Sequence, residues 1–599
     1  MFASWGRIVY RARFTVIGVM VAAMLGLAGY GLSLQDHLSQ SGWDDPQSQS
    51  TAASILSDET FGRDTAGDVV VLVRAPDGTT VDDPAFQSQV STHFENVLAA
   101  HPEYIAKTNG GFFTVGTALK STAAASDDRQ FAVQSFAIVG DNDTEITANF
   151  REVKDAFYGD GLNIQLAGLQ PVAGALNDTM ANDIKRLELI AIPAVGVLLF
   201  FVFGGVVAAA LPLIIGGLTV VAANGIVRFI TNFTEVNSFV APVVSLIGLG
   251  LAIDYGLFVV SRFREELGEG YAVDAAVRRT VMTAGRTVVF SATTIIAALA
   301  GLILFPQGFL KSVAYGAIAT VSVAALASIT ILPAILAIIG RKVDALTFKR
   351  LRQTKSAEEI EASMFGRLTR WVMRNPLKVT IPIVVGLLLL IVPLTGIKFG
   401  GINETYLPPG HPTREAQAQF DELFPEMRTE PIRLVVQGAS GAQVGSIIKA
   451  ADGAPGLVVR DNGQSFHVAS SSTEVAVLDA GLIDRNNAAP AIEYLRSMDK
   501  PDGVTILVGG TPAIEYDSIA ALLNHLPLMV VMVVLATTLL MFLAFGSLVL
   551  PIKAALMSAL GLGSTLGILT WIFIDGHGAG LLNFTPGTIM SPILVLIIA

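Results

Sequence analysis

The stretch GLGLAIDYGLFVVSRFREE, Gly248 to Glu266, carries an aspartate, Asp254, inside a run that otherwise reads as a membrane-spanning helix. Counted back from Val260, the last apolar residue, Asp254 lies ~9 Å inside the span at 1.5 Å per residue, within the hydrocarbon. A carboxylate there costs a few kcal/mol or more unless it faces protein or water, so an acid kept at that depth points to function. On a helix Asp254 shares a face with Ile247, Gly250, Leu257 and Ser261. Tyr255 is turned about 100° away and continues a stripe of small residues, Ser245, Gly248 and Ala252. Both faces admit a close neighbouring helix. Two readings follow: a carboxylate that takes up and releases a proton, or a structural acid permanently paired with a base. The first half holds no lysine or arginine at matching depth, and Lys553 sits near the end of a later span, where it snorkels to the interface. Arg262 and Arg264 read as anchors of topology.

The surrounding composition agrees with a membrane protein: 52% of the 599 residues are hydrophobic and 15% are charged. A formal charge of -11 makes nucleic acid an unfavourable partner. The absence of cysteine excludes disulfides, thiolate metal sites and cysteine nucleophiles. Apolar spans are predicted at Phe14–Leu34, Leu187–Phe203, Val206–Val227, Phe239–Val260, Thr287–Phe305, Ser312–Gly340, Val379–Gly396, Leu526–Phe545 and Leu548–Ile574, with a tenth starting at Gly587. Short loops set the orientation. Arg262, Arg264, Arg278, Arg279 and Arg286 follow the fourth span, and the segment 341–378 after the sixth carries ten lysines and arginines, whereas the opposite short loops carry only Arg228 and Lys311. The basic loops and the amino terminus are therefore expected in the cytoplasm. The polar stretches 35–186 and 397–525 are expected on the outer side of a plasma (inner) membrane.

The chain also repeats itself. WGRIVYRARF at Trp5 resembles FGRLTRWVMR at Phe365, LAGLQP at Leu166 resembles LVGGTP at Leu507, and FVFGG at Phe201 resembles LAFGS at Leu543. The last two pairs, aligned on Gly168 with Gly509 and on Gly204 with Gly546, are offset by 341 and 342 residues. A parallel repeat accounts for this: one span (14–34, 379–396), one polar domain (35–186, 397–525), then a run of spans (187–340, 526–599). Each polar domain reads as β-α-β-β-α-β, the split-βαβ order. The first has strands at Asp68–Ala75, Phe131–Gly140 and Leu162–Gly168. The second has strands at Pro431, around Leu457 and Glu474, and at Val504. By the repeat, Pro592 corresponds to Pro242, so a second acid is expected near position 604; on this reading the sequence stops short of a complete second repeat.

SLIGLGLAIDYGLFVVSRFREE (Ser245–Glu266), DAAVRRTVMTAGRTVVFSA (Asp274–Ala292), LFPQGFLKS (Leu304–Ser312), ETYLPPG (Glu404–Gly410) and the long stretch Leu540–Gly578 together resemble the MmpL family of the resistance-nodulation-division transporters. The resemblance covers essentially the whole chain. It implies an α-helical polytopic fold with two ferredoxin-like porter domains and proton-driven export of a mycolic acid glycolipid, trehalose monomycolate, toward the cell envelope. It further implies a proton relay at Asp254 and Tyr255, with Ser291 as a neighbour. The bare reading of Ser291, a hydroxyl bonded to its own helix backbone, stands beside that one. The partners implied are the lipid substrate, protons and membrane lipids, together with accessory envelope proteins. Two complete internal repeats would suit a monomer, and no cofactor is expected.

An exported enzyme is the first competing class, but the sequence has no G-x-S-x-G elbow and no Walker A lysine. Its seven histidines (His37, His93, His101, His411, His467, His525, His577) form no metal-ligand spacing. A sensor or scaffold of the sterol-sensing type, with the same spans and no transport, is the second. Within transport, composition does not distinguish the glycolipid from another lipid or a siderophore.

Overall fold

The computed structural model describes residues 2–116, 121–346, 363–401, 403–460 and 462–598. Lys349, Arg350, Arg352 and Lys355 of the expected basic loop lie outside the described residues. Among the described residues nine helices are long and apolar enough to cross a membrane. A short helix, α1 (Phe2–Arg11), leads into the first of them, α2 (Arg13–Gly31), and α3 (Gln49–Phe61) opens the first polar stretch. The first sheet then forms in the predicted order: β1 (Val69–Arg74), α4 (Pro84–Ala100), β2 (Ile105–Gly111), β3 (Phe131–Ile138), α5 (Asp143–Val153) and β4 (Asn163–Ala167). Its spatial order is β2-β3-β1-β4, with every pairing antiparallel. Local chemistry starts the helices. The Asp83 carboxylate accepts from the Ala85 and Phe86 amides with Pro84 in the first turn, and Asn142 caps α5 through the Glu145 amide. Phe94, Phe113, Phe136 and Phe157 fill the layer between sheet and helices.

Six further helices complete the first half: α6 (Leu169–Phe203), α7 (Val206–Ile230), α8 (Val240–Gly268), α9 (Val273–Thr280), α10 (Arg286–Ala300) and α11 (Gly308–Ile329), with α12 (Ile331–Ile339) continuing the sixth span. The predicted span Ser312–Gly340 is thus broken at Thr330. Pro333 is the cause, since it has no N–H to offer the carbonyl of Ile329, four residues earlier. That carbonyl accepts instead from the Trp5 indole at 3.1 Å, which pins α1 to the break.

The second half repeats the plan. The span Pro376–Ile391 is followed by β5 (Phe399–Gly400), the helix Pro412–Leu423, and a second sheet of β6 (Ile432–Gln437), β7 (His467–Ser471), β8 (Val475–Ala480) and β9 (Thr505–Gly509) in the order β7-β8-β6-β9. The strand expected around Leu457 is not there: Leu457 makes one isolated bridge to Leu482, and the edge strand is β7. Edge strands such as β2 and β7 face water over much of their length and lack the apolar alternation that would announce them. The helices Leu169–Phe203 and Thr511–Phe545 each have 35 residues, so both run unbroken from their sheet into the membrane rather than starting at Leu187 and Leu526. Gly168 and Gly510 precede them, and Gly204 and Gly546 end them in the left-handed conformation. The partner of Gly168 is therefore Gly510, not Gly509, which makes the offset at both ends of this helix 342 residues. The junction with the spans repeats too: Ser39 bridges Asn237 in parallel, and β5 pairs in parallel with β10 (Ile589–Met590). Past β10 the tenth predicted span begins as an eight-residue helix, Ser591–Ile598.

Each polar stretch lends its first helix to the other sheet, a crossing that the sequence pattern does not announce. Ala53, Leu56 and Phe61 of α3 pack on Val435, Val475, Val477 and Leu507 of the second sheet. Ala416 and Phe420 of the helix Pro412–Leu423, with Phe424 after it, enter the core of the first. Side chains lock both crossings. The Gly168 amide donates to Gln417 Oε1 at 2.8 Å, and the Ser50 hydroxyl donates to Asp517 at 2.7 Å. Phe420→Ala should therefore destabilise the first sheet by about 3–5 kcal/mol, the usual cost of emptying a buried phenylalanine site. Hydrogen exchange should speed up in β1 and β4 and stay unchanged in β6 and β9; the opposite pattern would contradict the crossing.

Candidate functional site

Small residues bring the helices around Asp254 together. A Cβ added at Gly256 would lie 2.8 Å from Pro212 of α7, and one at Gly248 would lie 2.8 Å from Thr320 of α11. Gly31 and Gly225 do the same between α2 and α7, where a Cβ on Gly225 would meet the Leu27 carbonyl. Close backbone approach of this kind replaces hydrophobic burial as the means of packing helices in lipid.

The buried face of α8 comprises Gly248, Ala252, Tyr255, Gly256 and Val259, so Tyr255 lies on the small-residue stripe as the helical period requires. Its hydroxyl is buried without a hydrogen bond of full geometry, and the side chain it faces is Ser291 of α10. Ser291 makes no bond to its own helix among the described residues, whereas Thr287, Thr293 and Thr294 on the same helix all bond back to carbonyls four residues earlier. The hydroxyl of Ser291 is thus left for Tyr255.

Asp254 lies on the opposite, open side with Leu246, Gly250 and Phe258. It makes no hydrogen bond or ion pair among the described residues. The helix does not stop near Val260 but continues to Gly268, with Asp254 midway along its residues. The structure brings Tyr255 and Ser291 together beside Asp254; among the described residues it brings no base to the carboxylate.

The arginines beyond Val260 are part of α8 rather than of a loop, and they do more than set topology. Glu266 is fully buried, held by Arg262 of its own helix and by Arg279 of α9. Arg264 pairs with Asp344 at 2.8 Å and donates to the Phe203 carbonyl at 2.9 Å, which ties α8 to the ends of α6 and α12. The i, i+4 spacing of Arg262 and Glu266 was the available signal for the first of these contacts. The contributions of Arg279 and Asp344 are visible only in three dimensions.

Two parallel helical repeats and two split-βαβ domains that exchange helices define a multi-pass membrane protein of the resistance-nodulation-division architecture. The chain belongs to the MMPL family, whose model matches residues 42–379. It is 48% identical to the trehalose monomycolate exporter MmpL3 of Mycobacterium tuberculosis, over 100% of this chain and 67% of that protein. The corresponding exporter of Mycolicibacterium smegmatis is also 48% identical, over 100% of this chain and 63% of the relative. The mycolic acid-containing lipids exporter MmpL11 of the same organism is 32% identical over 68% of this chain and 44% of its own length. The chain thus spans about two thirds of the length of these two trehalose monomycolate exporters. This kinship is with transporters rather than enzymes.

The packing of α8 predicts opposite responses at two of its glycines. Gly256→Ala should destabilise the bundle by about 1–3 kcal/mol, because the added methyl strikes Pro212. Gly250→Ala, with nothing within 4 Å of the new methyl, should be neutral or slightly stabilising. Thermal unfolding of the two variants in detergent or lipid checks the pair; equal effects would contradict the helix orientation.

Proposed function

We propose that this chain provides the transport machinery of a proton-driven, secondary active exporter that moves a mycolic acid glycolipid, trehalose monomycolate, from the inner membrane toward the cell envelope. The observation that carries the reading is the unpaired Asp254 at the midpoint of α8, beside a Tyr255 hydroxyl that faces Ser291. An ionisable group at that depth without a counter-charge is stable when it can exchange a proton, and it marks an ion path. The substrate class rests on the relatives, which are named as exporters of trehalose monomycolate.

In this account the amino terminus and the basic ends of the spans lie in the cytoplasm, and the stretches 35–186 and 397–525 form two porter domains on the outer side. The excess of arginine and lysine at one end of the bundle supports that orientation. Glycolipid enters from the outer leaflet, rises along the spans and passes between the porter domains. Protonation of Asp254 removes its charge from the membrane interior and permits one access state. Loss of the proton restores the charge and favours the other. Tyr255 holds the relay in place by hydrogen bonding, and Ser291 orients Tyr255. One copy of the protein carries the pathway, with accessory envelope proteins receiving the lipid. The continuity of the two 35-residue helices from sheet to membrane would transmit a change in the spans directly to the porter domains.

Asp254→Asn, which keeps the size of the side chain and removes its ionisation, should lower export of trehalose monomycolate by about tenfold or more while the protein remains folded in the membrane. The assay is glycolipid transfer by cells or vesicles carrying the variant in the full-length protein. Wild-type export would refute the relay, and it is the result a sensor or scaffold on the same spans would give. Ser291→Ala should have a smaller effect than Tyr255→Phe, since its hydroxyl acts through the tyrosine.

A further inference from the structure

The second polar domain contains a second concentration of charge, far along the chain from Asp254. Arg485, between β8 and the helix Ala489–Ser497, pairs with Glu430 in the segment leading into β6. It also lies 3.5 Å from Glu515, in the first turns of the long helix Thr511–Phe545, and 3.7 Å from Glu404, which follows β5. A fourth carboxylate, Asp421, sits on the crossing helix Pro412–Leu423, held by Gln417 at 3.0 Å. The same Gln417 accepts the Gly168 amide of the first domain. Arg428 is the other cation facing Asp421. The Gly401 backbone amide supports Glu515, and the Tyr406 hydroxyl beside it donates to the Thr588 carbonyl at 3.0 Å.

Three carboxylates therefore meet Arg485, with Asp421 and Arg428 facing them, where five pieces of chain converge: the crossing helix, the segment leading into β6, the turn after β8, the membrane-entering helix and the segment leaving the seventh span. All four groups of the central cluster are less than a quarter exposed. If every carboxylate were ionised, the cluster would hold a net negative charge in a poorly solvated place, a state that repulsion and lost hydration both oppose. Burial pushes the Glu430 carboxyl up to about 7, with Arg485 opposing and Glu515 and Glu404 adding to the rise. Burial likewise raises Asp421 to about 6, against the pull of Arg428.

We propose that Arg485, Glu430, Glu404, Glu515 and Asp421 form a proton-binding clasp between the crossing helix and the membrane-entering helix, which tightens when the cluster takes up a proton. The direction follows from linkage. A carboxylate with a raised affinity for protons in the assembled junction stabilises that junction when protonated, so the junction is firmest in acid. It loosens as the pH rises through Asp421 and then Glu430 and the carboxylates repel one another. The clasp uses none of the groups beside Asp254, so it stands or falls apart from the export reading.

The test is hydrogen exchange of the full chain in lipid nanodiscs at about pH 6 and about pH 8, corrected for the intrinsic pH dependence of exchange. Amides of the helix Pro412–Leu423 should be about tenfold better protected at the lower pH. Glu430→Gln, a neutral isostere of the protonated acid, should raise protection at the higher pH and shrink the difference to the smaller part that Asp421 contributes. The helix Gly441–Ala451, packed in the same domain but away from the cluster, reports folding: fast exchange there would mark an unfolded variant. In that case Asp421→Asn, which neutralises the carboxylate on the crossing helix itself, should shrink the difference. Equal protection of the wild type at both pH values would overturn the proposal. So would an unchanged pH difference in a folded Glu430→Gln protein.

Discussion

The cost of a charge in hydrocarbon is the constraint on which the structure depends. A carboxylate at the centre of a spanning helix is retained only if the fold gives it something to do. Around Asp254 the bundle supplies no counter-charge among the described residues; it supplies a tyrosine on the adjoining face and a serine on the next helix. Everything that fixes their geometry is steric. Gly248 and Gly256 let α7 and α11 close on α8, and Tyr255 occupies the resulting seam with its hydroxyl unspent. An acid placed this way has a neutral state available to it, which a permanent salt bridge would remove.

The ends of the bundle are built on the opposite principle. Glu266 is buried, yet Arg262 and Arg279 satisfy it, and Arg264 with Asp344 closes the same end. Removing one partner of such a buried group leaves an uncompensated charge, so these contacts fix how the helix ends sit. The two porter domains are held by a third device, the exchange of α3 and the helix Pro412–Leu423. Neither sheet completes its packing without a helix from the other stretch. Movement of one domain relative to the other must therefore pass through these crossing helices or through the two long helices that enter the membrane.

Much of this was legible in the sequence because periodicity and apolar runs report burial directly. The spans, the doubled architecture, the β-α-β-β-α-β order and the placement of Tyr255 on the small-residue stripe all follow from local pattern. What escaped was non-local or polar. The strands β2 and β7 lie at sheet edges and carry too little apolar alternation to be located, and the apolar Leu457 segment imitates a strand in place of β7. The polar first halves of the two 35-residue helices concealed their continuity with the spans. The arginines that close the apolar run of α8 conceal that the helix continues through them to Gly268. The exchange of helices leaves no trace in local composition, since Phe420 would serve equally well in either core. The cluster around Arg485 unites residues from 404 to 515, and no spacing announces it.

The central claim is that glycolipid movement is coupled to protons through Asp254. Its most direct test is a reconstituted system: the full-length protein in proteoliposomes with labelled trehalose monomycolate, an imposed pH gradient and no nucleotide. The account predicts translocation that follows the gradient, stops when a protonophore collapses it, and is accompanied by proton flux absent from Asp254→Asn vesicles. Translocation at the same rate without a gradient, or proton flux retained by the asparagine variant, would contradict it.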